Sequence, residues 1–197
     1  MKYATLVVFL FLSGCTVTQP AITEYKLHPQ TVETHFDITT CKQKSIKIAQ
    51  TFSSSALMSQ KMHYAKDMYG EYTFNQSEWS DSPNKAITAE LVKSIRDSHL
   101  FMSVQSYKSR SISEYTLEST IEEFMQYFSD DNASSYVEVI ISMTLIDTES
   151  GQVIDSMLFI KKVDAKTPDA QGGVVALNEA LSDVLRQGNL WLSKACK

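Results

Sequence analysis

The chain has no run of about 20 apolar residues, the length a helix needs to cross a membrane, and its longest apolar stretch, residues 4–12, falls well short. It contains no Gly-x-Gly-x-x-Gly, no P-loop and no Gly-x-Ser-x-Gly, so the usual phosphate-cradling loops and the hydrolase nucleophile elbow are missing. The histidines are His28, His35, His63 and His99, none of them spaced with a second His, Cys or carboxylate as metal sites require. No metal site is therefore expected. There is also no long basic run, and the net charge of −5 becomes one unit more negative if Lys2 is removed. Nucleic acid is not an expected partner. No internal repeat is visible.

What the sequence does have begins at its N-terminus. Lys2 precedes the apolar stretch, which runs into Leu12-Ser13-Gly14-Cys15. Positive charge, a short apolar run and small residues, in that order, mark a secretory signal. The last four residues resemble the bacterial lipobox, in which small residues enter a peptidase and the following thiol takes a diacylglycerol. Residues 1–14 are thus expected to be a signal peptide and Cys15 a lipidated N-terminus, with residues 15–21 as its tether. Several acyl chains on one cysteine hold a protein stably at a membrane, whereas one alone does so only marginally. Thr16 stands where an inner-membrane retention signal would have Asp, which favours the outer membrane.

With Cys15 acylated, Cys41 and Cys196 remain. In an oxidising compartment an even count points to one disulfide between them, the alternative being two separate thiols. The charge, composition and length of residues 22–197 suit a single domain.

Within that domain, residues 22–27 suggest an edge strand and residues 45–50 a half-buried one, followed by a Ser-rich connection at 53–60. Met62-His63-Tyr64 and Tyr72-Thr73-Phe74-Asn75 suggest a hairpin turning near Gly70. Ser82-Pro83 opens a helix with Ile87, Leu91 and Ile95 on one face, ending near Ser98. Residues 100–104 read as a short strand. Residues 117–128 are ambiguous: Leu117, Ile121, Phe124, Met125 and Phe128 fall at helical spacing, so periodicity alone prefers a helix. Val137, Val139, Ile141, Met143 and Leu145 alternate as a strand, Gly151 turns, and residues 153–163 return antiparallel. Thr167-Pro168-Asp169 starts a last helix with the stripe Val174, Leu177, Leu181, Val184, Gly188 and Trp191. Gly188 is expected to mark a close helix-to-sheet approach. The order of elements fits an α+β fold, a mixed α/β sandwich whose largely antiparallel or mixed sheet carries two main helices.

The acidic group Glu118, Glu122, Glu123, Asp130 and Asp131 could supply paired carboxylates, but a solvated face is the commoner use of such residues. Tyr64, Tyr69, Tyr72, Phe74 and Trp79 could line a ligand groove, or fill a core. No catalytic set emerges, so no enzyme and no cofactor beyond lipid on Cys15 is expected.

The landmarks from Leu57 onward resemble the ABC-type transport auxiliary lipoprotein family, the paraquat-inducible protein C-like lipoproteins of mammalian-cell-entry transport systems. The resemblance runs through Leu57, Tyr64, and the segment from Tyr72 through Trp79 to Pro83, where Trp79 stands four residues before the helix-opening proline. It continues in Leu100-Phe101 with Val104, in Tyr115-Thr116-Leu117 with Ile121-Glu122-Glu123-Phe124, and in the last helix. It implies a long strand over 115–128 in place of the helix, and this is the expectation carried forward. Tyr64, Trp79, Pro83 and Phe101 would be motif residues that build the fold. The Cys41/Cys196 pair lies outside the family pattern, as does the length of the polar segment 28–44.

The resemblance further implies a lipid-anchored envelope protein facing the periplasm, a non-catalytic auxiliary of an ABC-type transporter of the mammalian-cell-entry class. Such systems move phospholipid or other hydrophobic molecules between the inner and outer membranes. Its partners would be the mammalian-cell-entry protein and the ABC permease, with a homo-oligomer suiting a conduit component. The alternative is an envelope lipoprotein that binds or regulates a peptidoglycan-synthesis or other envelope complex.

Overall fold

The computed structural model describes residues 20–30, 40–67 and 69–195. The expected signal peptide, the expected lipidation site Cys15, and Cys196 lie outside the described residues. Cys41 is fully buried and its sulfur is engaged in a disulfide.

The strands are β1 (Thr23–Tyr25), β2 (Ser45–Ile48), β3 (Phe52–Ser53), β4 (Lys61–Ala65), β5 (Glu71–Trp79), β6 (Ser103–Ser106), β7 (Tyr115–Phe128), β8 (Ser135–Asp147) and β9 (Val153–Asp164). The helices are α1 (Pro83–Asp97) and α2 (Ala170–Ala195). All nine strands belong to one mixed sheet, and both helices cover the same face of it. The fold is α+β.

β7 organises the sheet. Along one edge it pairs antiparallel with β8 over its whole length. Along the other it receives three short strands in succession, all parallel to it: β2 at Tyr115–Leu117, β3 at Thr120 and Ile121, and β4 at Gln126 and Tyr127. Beyond these lie β6 on β2, and β5 then β1 on β4.

β7 also resolves the ambiguity of residues 117–128. A bulge between Ile121 and Glu123 inserts one extra residue, which resets the alternation of faces. Leu117, Ser119 and Ile121 face the helices before it, and Phe124 and Gln126 after it. Their spacings of four and three therefore imitate a helix although the backbone is extended. Met125 lands on the opposite face from Leu117 and Ile121.

Beneath the helices the core is continuous. α2 buries Val174, Leu177, Leu181, Val184, Trp191 and Leu192 against Val137, Val139, Ile141, Met143 and Leu145 of β8. α1 buries Ile87, Leu91 and Ile95 near Ile46 and Ile48. Buried hydroxyls tie α1 to the sheet: the Thr51 N–H donates to Thr88 Oγ1 at 3.0 Å, and Thr51 Oγ1 lies 2.9 Å from Ser119 Oγ. Asn189 Nδ2 of α2 donates to Ser94 Oγ of α1 at 2.9 Å.

Several local expectations are corrected. The 53–60 connection holds the second residue of β3 and a short 3-10 turn (Ala56–Met58). The strand after α1 starts at Ser103, and Leu100 and Phe101 are buried in the approach to it. Ser82 precedes α1 without making a side-chain cap; its hydroxyl donates to Asn84 Oδ1 at 2.8 Å. α2 is capped by Asp169, whose Oδ1 accepts the Gly172 N–H at 2.7 Å. Thr167 instead donates its hydroxyl to that carboxylate, because α2 opens after Pro168 and not at it. Gly151 turns β8 into β9 with φ of +68°, a conformation that suits Gly.

A candidate interaction surface on the open sheet face

Side chains alternate across a strand, so the residues of β7, β8 and β9 that point away from the helices form a second surface. The register places them in rows: Tyr127, Tyr136 and Asp164; then Met125, Glu138 and Lys162; then Glu123, Ile140 and Ile160; then Thr120, Ser142 and Leu158. Farther along, Thr116, Ile146 and Val153 form the last row. Among the described residues no helix covers this face, and its β8 positions are half-buried.

One end of the surface is polar and aromatic. Tyr127 and Tyr136 stack with ring centroids 5.1 Å apart, and Lys162 Nζ sits 3.3 Å from the Tyr136 centroid, a cation over a ring face. Tyr127 also bonds Glu123. Burial pushes the Glu123 carboxyl above its ordinary range, against the hydrogen bonds from Tyr127 and a backbone N–H, and nearby Glu138 and Glu71 push the same way. The Tyr127 hydroxyl is held upward too, by burial first and then by the Glu123 charge. Glu71 in turn meets His63 Nδ1 at 2.6 Å, while His63 Nε2 is buried without a hydrogen-bond partner.

The other end is apolar and reaches the outer strand. Leu158 and Ile160 are about half exposed, at 48% and 55%. On the helix side of the same strand a groove of about 290 Å³ opens between β9 and α2, lined by Met157, Phe159, Leu190, Trp191 and Lys194 among others. Its floor is fixed by Trp191, which stands edge-on to Phe159 and donates Nε1–H to Asp155 Oδ2 at 2.8 Å. Beside it Asp183 accepts Lys161 at 3.1 Å and also holds Arg186. Burial alone would raise the Asp183 carboxyl, but its bonds to Arg186, Lys161 and Gln187 carry it below the usual carboxylate range.

The four motif residues are not gathered on this surface. Trp79 is buried against Phe124 with ring centroids 6.0 Å apart. Pro83 is buried in the first turn of α1, and Phe101 is buried edge-on to Tyr115. Tyr64 lies in a ring cluster with Tyr72, Phe74 and Phe128 at 4.6–5.5 Å. The five aromatics that could have lined one groove are therefore separated: Trp79 belongs to the core, and Tyr69 is 94% exposed.

The acidic group is likewise divided. Glu118 and Glu122 are exposed, and Asp130 and Asp131 belong to the β7–β8 turn. There Asp131 accepts the Ser129 hydroxyl and the Ala133 N–H. Only Glu123 has the surroundings that shift a carboxyl upward. Among the described residues no three metal-ligating groups come together, and no helix is long and apolar enough to cross a membrane. His28 and His99 are exposed, and His35 lies outside the described residues.

No family model matches the chain, and no curated protein is similar to it. Solved structures share its fold. A Xanthomonas campestris protein described by the family model DUF330 superimposes with a TM-score of 0.78 at 14% identity, over 88% of this chain and 95% of that one. A second, described as uncharacterized, gives 0.63 at 15% identity, over 83% of this chain and 100% of that one. At these identities the likeness is one of fold.

Proposed function

We propose that the chain is an exported envelope lipoprotein, held by lipid on Cys15 and facing the periplasm. Its domain serves as a non-catalytic auxiliary of an ABC-type transporter of the mammalian-cell-entry class, which moves phospholipid or other hydrophobic molecules between the two membranes. The outer membrane is the proposed site of anchorage, and homo-oligomerisation the proposed state. The carrying observation is the lipobox-like Leu12-Ser13-Gly14-Cys15 ahead of one α+β domain with the Trp79-to-Pro83 spacing. An open sheet face that ends in half-exposed Leu158 and Ile160 supports docking, since uncovered apolar surface of this kind is characteristic of interaction sites.

The role assigned to the domain is to bind protein and not to transform a substrate. Lipid on Cys15 supplies membrane affinity by burying methylenes, at about 0.8 kcal/mol each. The only non-protein group the proposal needs is that lipid.

The test joins two measurements on the same strain. Fatty-acid labelling is expected in the wild type and lost in Cys15→Ala, which should accumulate as precursor; equal labelling would overturn the anchor. Cross-linking in intact membranes is expected to recover a mammalian-cell-entry protein and its permease. Recovery of a cell-wall synthase in their place would replace the transport role with the peptidoglycan one.

A further inference from the structure

β9 pairs with β8 and, among the described residues, with no other strand. A long uncovered edge is normally blunted by charge, proline or shortness, because its free N–H and C=O groups recruit another strand. β9 is 12 residues long, and its centre reads Met157-Leu158-Phe159-Ile160. Three of these are exposed, on both faces: Met157 at 44% beside α2, and Leu158 and Ile160 on the open face. A helix laid on either face would cover only half of them. A strand added alongside covers both.

We infer that the added strand is β9 of a second copy of this chain, running antiparallel about a two-fold axis through Leu158. Such an axis must stand perpendicular to the sheet, since only then are two antiparallel strands equivalent. Directly opposed residues then share a face, as in any isologous contact. Centring on Leu158 sets Leu158 against itself, Met157 against Phe159, Ser156 against Ile160 and Asp155 against Lys161. The last pair occurs twice, so each end of the apolar centre closes on opposite charges. The bulge between Leu145 and Ile146, opposite Ile154, ends the regular geometry of β9 on one side at Asp155, so with this centre the two Asp155–Lys161 pairs close the regular overlap. Moving the centre by one residue either way loses the charge match, setting Asp155 against Val163 or Phe159. Asp155 uses one oxygen for Trp191 and Lys161 lies against Asp183, so both side chains are held on the helix side of β9, the face they would share across the two-fold.

This inference rests on the proposed homo-oligomerisation, to which it gives a contact, and is independent of the transport role, whose partners are read by a separate cross-linking experiment. Full-length lipidated protein in detergent is expected to be dimeric by sedimentation equilibrium. Asp155→Lys or Lys161→Asp alone sets like charges opposite one another twice and should weaken the dimer about tenfold. Combining the two should restore it. Because either change also touches an intramolecular contact, Leu158→Cys provides a second readout at an exposed position: oxidation in intact cells should give a disulfide-linked dimer, absent from an Ile112→Cys control. A monomeric wild type, a dimer indifferent to both charge reversals, or a Leu158→Cys adduct with a different protein would each overturn the self-pairing.

Discussion

Gly173 of α2 lies directly on Gln126 of β7: a Cβ at Gly173 would stand 2.0 Å from Gln126 Oε1. Gln126 is buried at 1% exposure and donates Nε2–H to Ser135 Oγ at 2.9 Å and to the Asp169 carbonyl at 3.1 Å. The first turn of α2 thus descends onto the sheet at a point where one side chain is anchored and the other must be absent. Gly188, the position expected to mark the close approach, is looser, with its nearest would-be contact Met143 Sδ at 3.3 Å.

Gly173→Ala should therefore cost about 1–3 kcal/mol, the range for overpacking a core, even though Ala is the better helix former. Gly172→Ala should cost as much or more, because its Cβ would meet the Thr167 carbonyl oxygen at 2.0 Å and a backbone atom yields least. Gly188→Ala should stay within about 1 kcal/mol of wild type, since a flexible Met can give way and helix propensity improves. Urea unfolding of the three variants checks the order; equal destabilisation at 173 and 188 would contradict the packing described.

Glu123 predicts a fall in stability as pH rises. Its native carboxyl holds a proton more tightly than the unfolded one, so its contribution is most favourable below the unfolded value and declines as pH passes through the raised native value. Glu123→Gln keeps a carbonyl acceptor for Tyr127 and removes the charge. The variant's Tm should exceed that of wild type at neutral and higher pH, and the gap should close in acid. A gap independent of pH would rule out the buried charge as its cause.

Glu114 predicts the reverse sign. Hydrogen bonds from the Ser45 hydroxyl and from the Ser45 N–H, the latter at 2.8 Å, hold its carboxyl below the ordinary range. The stability this provides is present above the unfolded pKa and is lost as pH falls through the native one. Glu114→Gln should lower Tm at neutral pH, and the two proteins should converge in strong acid. Thermal melts across the acid limb test this, and a deficit that persists there would show loss of packing instead.

Trp79 tests whether a motif residue acts through the core. Trp79→Ala should cost about 3–5 kcal/mol, as large aromatic deletions do, while Trp79→Phe should cost less. Partner recovery per folded molecule should match wild type in both. A loss of recovery with unfolding curves unchanged would place Trp79 in the interaction itself.

Much of this architecture was legible in the sequence because its signals are local. The alternation from Val137 to Leu145, the turn at Gly151 and the apolar stripe of α2 each read directly as the element found. The bulge in β7 was not legible: one inserted residue turns a strand's period into a helix's, and only the pairing with β8 reveals it. The open face and the β9 edge were hidden for a different reason. A continuous apolar run such as Met157 to Ile160 reads equally as a strand buried on both faces, and exposure depends on neighbours far away in sequence. Cap chemistry was only partly legible: Ser82 does hold the N-cap position of α1 but spends its hydroxyl on Asn84, and at α2 the cap is Asp169, two residues beyond Thr167.

The strand that confused the periodicity also sets an order of assembly. β7, β8 and β9 follow one another through two tight turns, so their meander closes only short loops. β2, by contrast, reaches β7 across a long separation, as the Ser45 to Glu114 hydrogen bond, 69 residues apart, shows. Long loops close slowly, and closure must be compensated by contacts made afterwards. The meander is thus the scaffold on which β3, the β2–β6 pair and the β4–β5 hairpin condense. Nascent chains that stall before residue 115 would hold the β2–β6 pair, β3 and the β4–β5 hairpin without the strand that joins them into one sheet, and the second half of the polypeptide acts as the template for the first.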